Sequence, residues 1–155
     1  MINPRQLRDL IIIPTLNSID LNSPSAVELL MGTAMQESNL SAIHQFGGPA
    51  LGLWQMEPDT HDDIWKNWLY HKVNLSSVIQ KLMIPSKNVG TQMEGNLYYA
   101  CAMARCLYRR VPEALPKAND IVGMATYWKK YYNTPLGAGT INQYISNWNK
   151  LAAFL

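Results

Sequence analysis

Charge and long apolar runs are scarce in this chain. Charged residues make up only 15% of its 155 positions, and the formal net charge is +2. A nucleic-acid binder gathers basic residues into a patch or stripe, and nothing here does so, which argues against a helical nucleic-acid module. The apolar stretch Ile11-Ile12-Ile13 is too short for the core of a secretion signal, and Arg5, Arg8 and Asp9 interrupt what precedes it. No run approaches a membrane span, so no stable membrane insertion is expected.

Cysteine is scarce too. Cys101 and Cys106 are the only two, and they lie five apart in one predicted helix. That spacing puts them on different faces, too far apart for easy bridging. Both read as free packing thiols, which fits synthesis in the cytoplasm. His44, His61 and His71 do not occur at metal-ligand spacing, and there is no His-Glu-x-x-His, so a zinc peptidase or amidase is not expected. There is no G-x-S-x-G and no phosphate loop. A Cys-His nucleophile pair is disfavoured because both cysteines fall on a helix predicted to be buried.

What is present suits one globular domain over residues 1–155, since 48% of the chain is hydrophobic. The aromatics are 5 Trp and 8 Tyr against only 2 Phe. Trp and Tyr join a flat apolar body to a polar edge. Most of them read as core and rim residues, yet the bias also suits a groove for polar, ring-shaped ligands.

The pattern is all-α. Asn3-Pro4 opens a short helix to about Ile13, stopped by Pro14. A second helix starts near Ser23-Pro24-Ser25, with either Pro24 as its first residue or Ser25 capping it and Glu28 three places on. Residues 38–56 hold Gly47, Gly48, Pro49 and Gly52 and read as a structured loop. Helices follow near 59–70 and 74–84, the latter stopped by Pro85. The clearest helix spans 92–111, with Thr91 and Glu94 as a capping box and Pro112 beyond its end. One more spans about 119–132, and Pro135, Gly137 and Gly139 break it. A last helix starts at Thr140, with Gln143 in the capping-box position. No alternating strand, repeat or linker stands out.

Glu37 is the most informative residue. Val27, Leu30, Met31 and Ala34 recur at helical spacing, so one helix face is predicted to be buried. Glu37 falls on or beside that face, where the helix runs out. The negative end of a helix and removal from water both raise a carboxyl pKa. A Glu protonated near neutral pH can protonate the leaving oxygen of a glycoside. The plain alternative is a Glu that ends its helix in solvent.

Four blocks bear on that choice. Glu37-Ser38, then Gly52-Leu53-Trp54-Gln55 with Pro58 and Thr60, resembles the Glu-Ser and Gly-Leu-Met-Gln motifs of lytic transglycosylases with the lysozyme-like fold. Asn96-Leu97-Tyr98-Tyr99-Ala100 is similar to that family's Asn-Ile-x-x-Gly, with Ala100 at the glycine. Ala125-Thr126-Tyr127 is similar to its Ala-x-Tyr motif. The blocks occur in family order across residues 37 to 127.

The resemblance implies a lysozyme-like helical domain that cleaves peptidoglycan glycan strands between N-acetylmuramic acid and N-acetylglucosamine, with no metal or cofactor. It implies Glu37 as the sole essential acid, Ser38 orienting it, and Tyr127 bringing its hydroxyl towards it. Gly52, Leu53, Trp54 and Gln55 would line the cleft with Gln55 on substrate, and Asn96 would belong to the substrate-binding set. The substrate's own acetamido group and 6-hydroxyl would complete the reaction, giving a 1,6-anhydro product.

Trp54 replaces the usual Met, which is expected to floor the cleft differently, and Trp128 stands where Asn often follows the Tyr. Glu57 raises a rival outcome. Goose-type lysozymes share the fold and carry an acid near this place that helps hold water. An inverting glycosidase needs its second carboxylate about 6.5–9.5 Å from the first. Glu57 could thus turn cyclisation into hydrolysis; otherwise it is a surface acid favoured at the N-terminus of the 59–70 helix. A third reading is a non-catalytic glycan-binding or structural protein. With no export signal expected, a wall-cleaving enzyme would act after release through a pore, secretion, or delivery in a bacteriophage particle, with virion or secretion-apparatus partners.

Overall fold

The computed structural model describes residues 1–155 as eight helices and no strand. Helix α1 is continuous but changes pitch. It begins as α-helix at Pro4–Gln6, widens to a π-helix over Leu7–Ile12, and tightens again over Ile13–Ser18. The helix therefore passes Pro14, where the sequence predicts a stop. Proline has no N–H and its ring crowds the carbonyl four residues back. The widened turn immediately before it, where Ile13 N–H reaches Arg8 O, makes room for the ring.

Helix α2, Pro24–Ser38, starts with Pro24 as its first residue. Ser23 is the cap, its hydroxyl accepting from Ala26 N–H at 3.1 Å. The helix ends at Asn39 in the left-handed conformation (φ 52°), which Asn tolerates better than most residues. Helix α3 is Pro58–Asn67, followed by a 3-10 turn at Leu69–His71, and α4 is Val73–Leu82.

The helix predicted over 92–111 is two helices. Helix α5 is Val89–Gly95 and α6 is Leu97–Arg109. The predicted Thr91–Glu94 box does not form, because Asn88 accepts from Thr91 N–H at 2.8 Å and caps α5. Asn96 breaks the run. It leaves the helical region (φ −112°, ψ 91°) and its side chain accepts from Tyr99 N–H, starting α6 afresh. Glu94 instead faces His44, at 2.6 Å. Helix α7, Ile121–Trp128, is capped by Asp120 and continues as a π-helix over Lys129–Asn133. Helix α8, Ile141–Ala152, has the capping box predicted at Thr140 and Gln143.

Helix α6 is the axis of the core. Every residue from Tyr99 to Tyr108 is buried. Its small residues Ala100, Ala102 and Ala104 admit close neighbours. Leu30, Met31 and Ala34 of α2 are buried in the same apolar cluster of 35 residues, with Val27 only half-buried. Cys101 and Cys106 are buried free thiols. Helix α8 covers α2 at Gly32, where an added Cβ would lie 2.0 Å from the Tyr144 hydroxyl. This packing fixes the end of α2, and hence Glu37, against α7.

Candidate active site

The end of α2, the 39–57 segment and the turn after α7 enclose an open cavity of about 600 Å³. Glu37, Gln55, Glu57 and Tyr132 all line it, together with Gln45, Thr60, Leu107 and the Asn133–Thr134 and 137–139 stretches. The far wall is a loop that Lys129 holds, its Nζ donating to Asn133 Oδ1 at 2.7 Å and to Gly137 O at 2.8 Å.

Glu37 is in the last turn of α2 and half-buried. One carboxyl oxygen, Oε1, accepts from the Trp128 indole N–H at 2.8 Å. Removal from water pushes its pKa up to about 7, against the opposing pull of the Trp128 N–H, which favours the anion. The carboxylate in turn disfavours ionisation of Tyr132 and Tyr108, both already held neutral by burial. No cation pairs with Glu37. An acid in this setting holds its proton near neutral pH and can release it to a base or a leaving group.

The Gly-Leu-Trp-Gln block forms the tight turn of a short hairpin. Leu51 and Met56 pair across it, each N–H donating to the other's carbonyl at 2.9 and 3.0 Å. Gly52 is in the left-handed region (φ 76°), and an added Cβ would lie 2.2 Å from the Met93 carbonyl oxygen. Only glycine fits there. The same Cβ would lie 3.7 Å from that of Ala100, so the small residue at 100 serves this close approach. Within the turn the four residues diverge. Gln55 faces the cavity, with its side-chain amide donating to Gly52 O at 2.8 Å.

Leu53 and Trp54 are fully buried and do not reach the cavity. Trp54 does not floor the cleft, contrary to expectation. Its indole N–H donates to Leu30 O of α2 at 3.0 Å, and its own carbonyl accepts from the Tyr132 hydroxyl at 2.6 Å. It is the bolt that ties the hairpin to α2 and to the π-helix. The predicted groove of Trp and Tyr rings is correspondingly reduced to Tyr132, with Trp128 reaching in behind Glu37.

Three other expectations are corrected. Ser38 does not bond the Glu37 carboxyl; its hydroxyl donates back to Ala34 O at 2.9 Å, as a helical Ser does, and helps end α2. Asn96 is buried away from the cavity. Its side chain caps α6 and donates to Leu82 O at 2.8 Å and to Gln92 Oε1 at 3.0 Å, a structural role that leaves nothing free for substrate. Tyr127 turns away from Glu37 and donates to Glu113 O at 2.9 Å. Its place beside the acid is taken by the next residue, Trp128, and by Tyr132, neither of which the motif alone identifies. The signal for Tyr132 was its spacing. Four and five residues after Trp128 and Tyr127, it continues the aromatic run of the same helix.

Glu57 is the residue immediately before α3 and is exposed. It makes no side-chain capping bond, and it lines the cavity that holds Glu37. Both readings of it thus meet in one place. Two nearly free apolar side chains flank the opening region in sequence, Phe46 between the lining residues Gln45 and Ala50, and Leu136 between Thr134 and Gly137. Comparison with known protein families, curated proteins and solved structures finds no match to this chain.

Proposed function

We propose that this protein is a peptidoglycan lytic transglycosylase of lysozyme-like fold, with Glu37 as its one catalytic acid. The observation that carries the reading is a carboxyl with no cation partner, raised to about 7, opening onto a cavity of about 600 Å³. The Glu37 proton passes to the oxygen bridging N-acetylmuramic acid to N-acetylglucosamine, and the bond from that oxygen to the muramyl C1 breaks. The substrate's 2-acetamido oxygen carries the positive charge left at C1. The muramyl 6-hydroxyl then attacks C1, its proton going to the Glu37 carboxylate. The acid is restored and the product is a 1,6-anhydro sugar. Gln55 supplies an amide to the glycan at the cavity wall. Tyr132 and Trp128 keep the acid's surroundings dry, which supports a neutral resting carboxyl, while the Trp128 N–H fixes one of its oxygens. The substrate is a wall polymer, so the protein reaches it by release, secretion or carriage in a virus particle, with the partners those routes imply.

Glu57 favours a second reading, hydrolysis, because it lines the same cavity without a capping bond of its own. Digestion of purified sacculi followed by mass analysis separates the two. Products lighter by one water than the hydrated sugar are expected. Hydrated reducing ends would replace the transglycosylase reading with a muramidase using Glu57. Sacculus binding with no product at any pH would overturn both in favour of a glycan-binding protein.

A further inference from the structure

A second open cavity, of about 610 Å³, lies between the end of α1, the start of α4 and the end of α6. It shares no lining residue with the Glu37 cavity. Its volume is that of a ligand pocket, about 300–1,000 Å³. Three cations line it, Lys72, Arg109 and Arg110, against the single acid Asp20. Asp63 engages the Arg110 guanidinium at 2.6 Å. Lys72 and Arg109 are exposed, and neither has an ion-pair partner. The Lys72 ammonium stands 5.7 Å from the centre of the Trp68 ring, so an aromatic face holds it at the wall in place of a carboxylate.

The charge behind the wall has the same sign. Arg105 is only 7% exposed, and no carboxylate pairs with it. Its Nε donates at 3.3 Å to the carbonyl of Leu21, which itself lines the cavity. Burial first, and then repulsion from Arg109, pull its pKa down, yet arginine keeps its proton. Its Nη1 is sealed within the protein, so Arg105 offers the cavity a field and no donor. Salt screens such a buried charge far less than an exposed one. The cavity therefore favours an anion.

The rest of the lining is apolar. Trp68, Leu75 and Val78 are half-buried there, and Val73 is 75% exposed. A polyphosphate would use the cations and leave that surface wet. A purely apolar ligand would leave the cations unused. A carboxylate next to an aliphatic side chain uses both. We propose that this cavity binds a short acidic peptide segment of a partner, with one carboxylate accepting from Lys72 and Arg109 and a neighbouring aliphatic side chain laid against Trp68, Leu75 and Val78. Arg105 adds to the attraction from behind the wall, and Asp20 opposes it. The site is independent of Glu37 and of the reaction proposed for it.

The test follows the NMR signal of the Trp68 indole N–H, assigned with Trp68→Phe, in the whole chain. The probes are acetyl-Leu-Glu-Leu-amide, its Gln analogue acetyl-Leu-Gln-Leu-amide, acetyl-Ser-Glu-Ser-amide and inorganic triphosphate. The first is expected to move the signal saturably and to bind at least fivefold more tightly than each of the others. Lys72→Gln and Arg109→Gln, both at exposed positions where folding is not at stake, are each expected to weaken it about fivefold, the worth of one exposed ion pair. Asp20→Asn is expected to tighten it, a change of sign that a loss of packing does not produce. Equal binding of the Gln analogue, tighter binding of triphosphate, affinity unchanged in either cation variant, or no saturable shift with acetyl-Leu-Glu-Leu-amide would each overturn the proposal.

Discussion

Glu37 and Arg105 are both ionisable side chains drawn away from water, and the fold treats them in opposite ways. Glu37 faces a wide cavity, and its carboxyl can become neutral by keeping its proton up to about pH 7. Arg105 lines a small one, and its charge has nowhere to go. The difference teaches how to read a buried charge. A carboxyl that can take up a proton can rest neutral away from water; a guanidinium that cannot give one up stays charged there. Asn96 is a neutral control. It is equally buried, and each of its polar atoms is used within the protein.

The comparison breaks most visibly at Glu37. Glu37→Gln keeps the shape and removes the proton, so sacculus cleavage is expected to fall by about a hundredfold to ten-thousandfold, the usual worth of a general acid. The same variant is expected to be more stable at alkaline pH. A carboxyl whose ordinary pKa is 4.5 ionises near 7 in the fold, so the folded state binds the proton more tightly than the unfolded chain does. The wild type is therefore most stable below about pH 4.5 with respect to this group, and loses about 3 kcal/mol at most as pH rises to 7 and beyond. Glu37→Gln removes that loss, which denaturant melts at pH 5 and pH 8 will measure.

Next in size is Asn96→Ala, which removes a cap and leaves buried partners unsatisfied. It is expected to cost about 2–3 kcal/mol of stability, with kcat/KM on sacculi unchanged where both proteins are folded. A large activity loss without destabilisation would return Asn96 to the substrate-binding set. Arg105→Met removes the other charge, as Glu37→Gln removes the first. It is expected to stabilise the fold by about 1–2 kcal/mol, as apolar replacement of buried charges often does, with the Leu21 carbonyl losing its donor in the process.

Smaller still is Trp128→Phe. It removes the N–H that favours the Glu37 anion, so the pKa is expected to move further up and the alkaline fall of the rate with it, as a pH–rate profile will register. Glu57→Gln is expected to change least: if cyclisation is the chemistry, product mass stays that of the anhydro sugar and the rate stays near that of the wild type.

Helix chemistry made much of this legible in the sequence. Pro24 behind Ser23, the Thr140–Gln143 box and the apolar spacing from Leu30 to Ala34 each act locally, and each appears where the pattern puts it. Glu37 was legible for the same reason, since an acid closing an apolar helix has few places to go. What escaped depends on single side chains acting over distance. Asn96 breaks a helix that propensity would have continued, because its amide has partners in α4 and α5. The π-helix before Pro14 carries α1 past an expected stop.

Trp54 and Tyr127 carry motif identities that suggested a cleft, yet packing turned both away from it and gave Glu37 the neighbours Trp128 and Tyr132. Arg105 was overlooked for a similar reason. A cation one place after Ala104 reads as solvent-facing until the neighbouring segments are known to close over it.

The central claim is that Glu37 holds a proton at neutral pH inside the cleft. A carbon NMR titration of its side-chain carboxyl, assigned by comparison with Glu37→Gln, tests this directly. A midpoint near pH 7 is the predicted result. A midpoint near the ordinary 4.5 would mean that Glu37 rests as an anion, and would contradict its role as the acid.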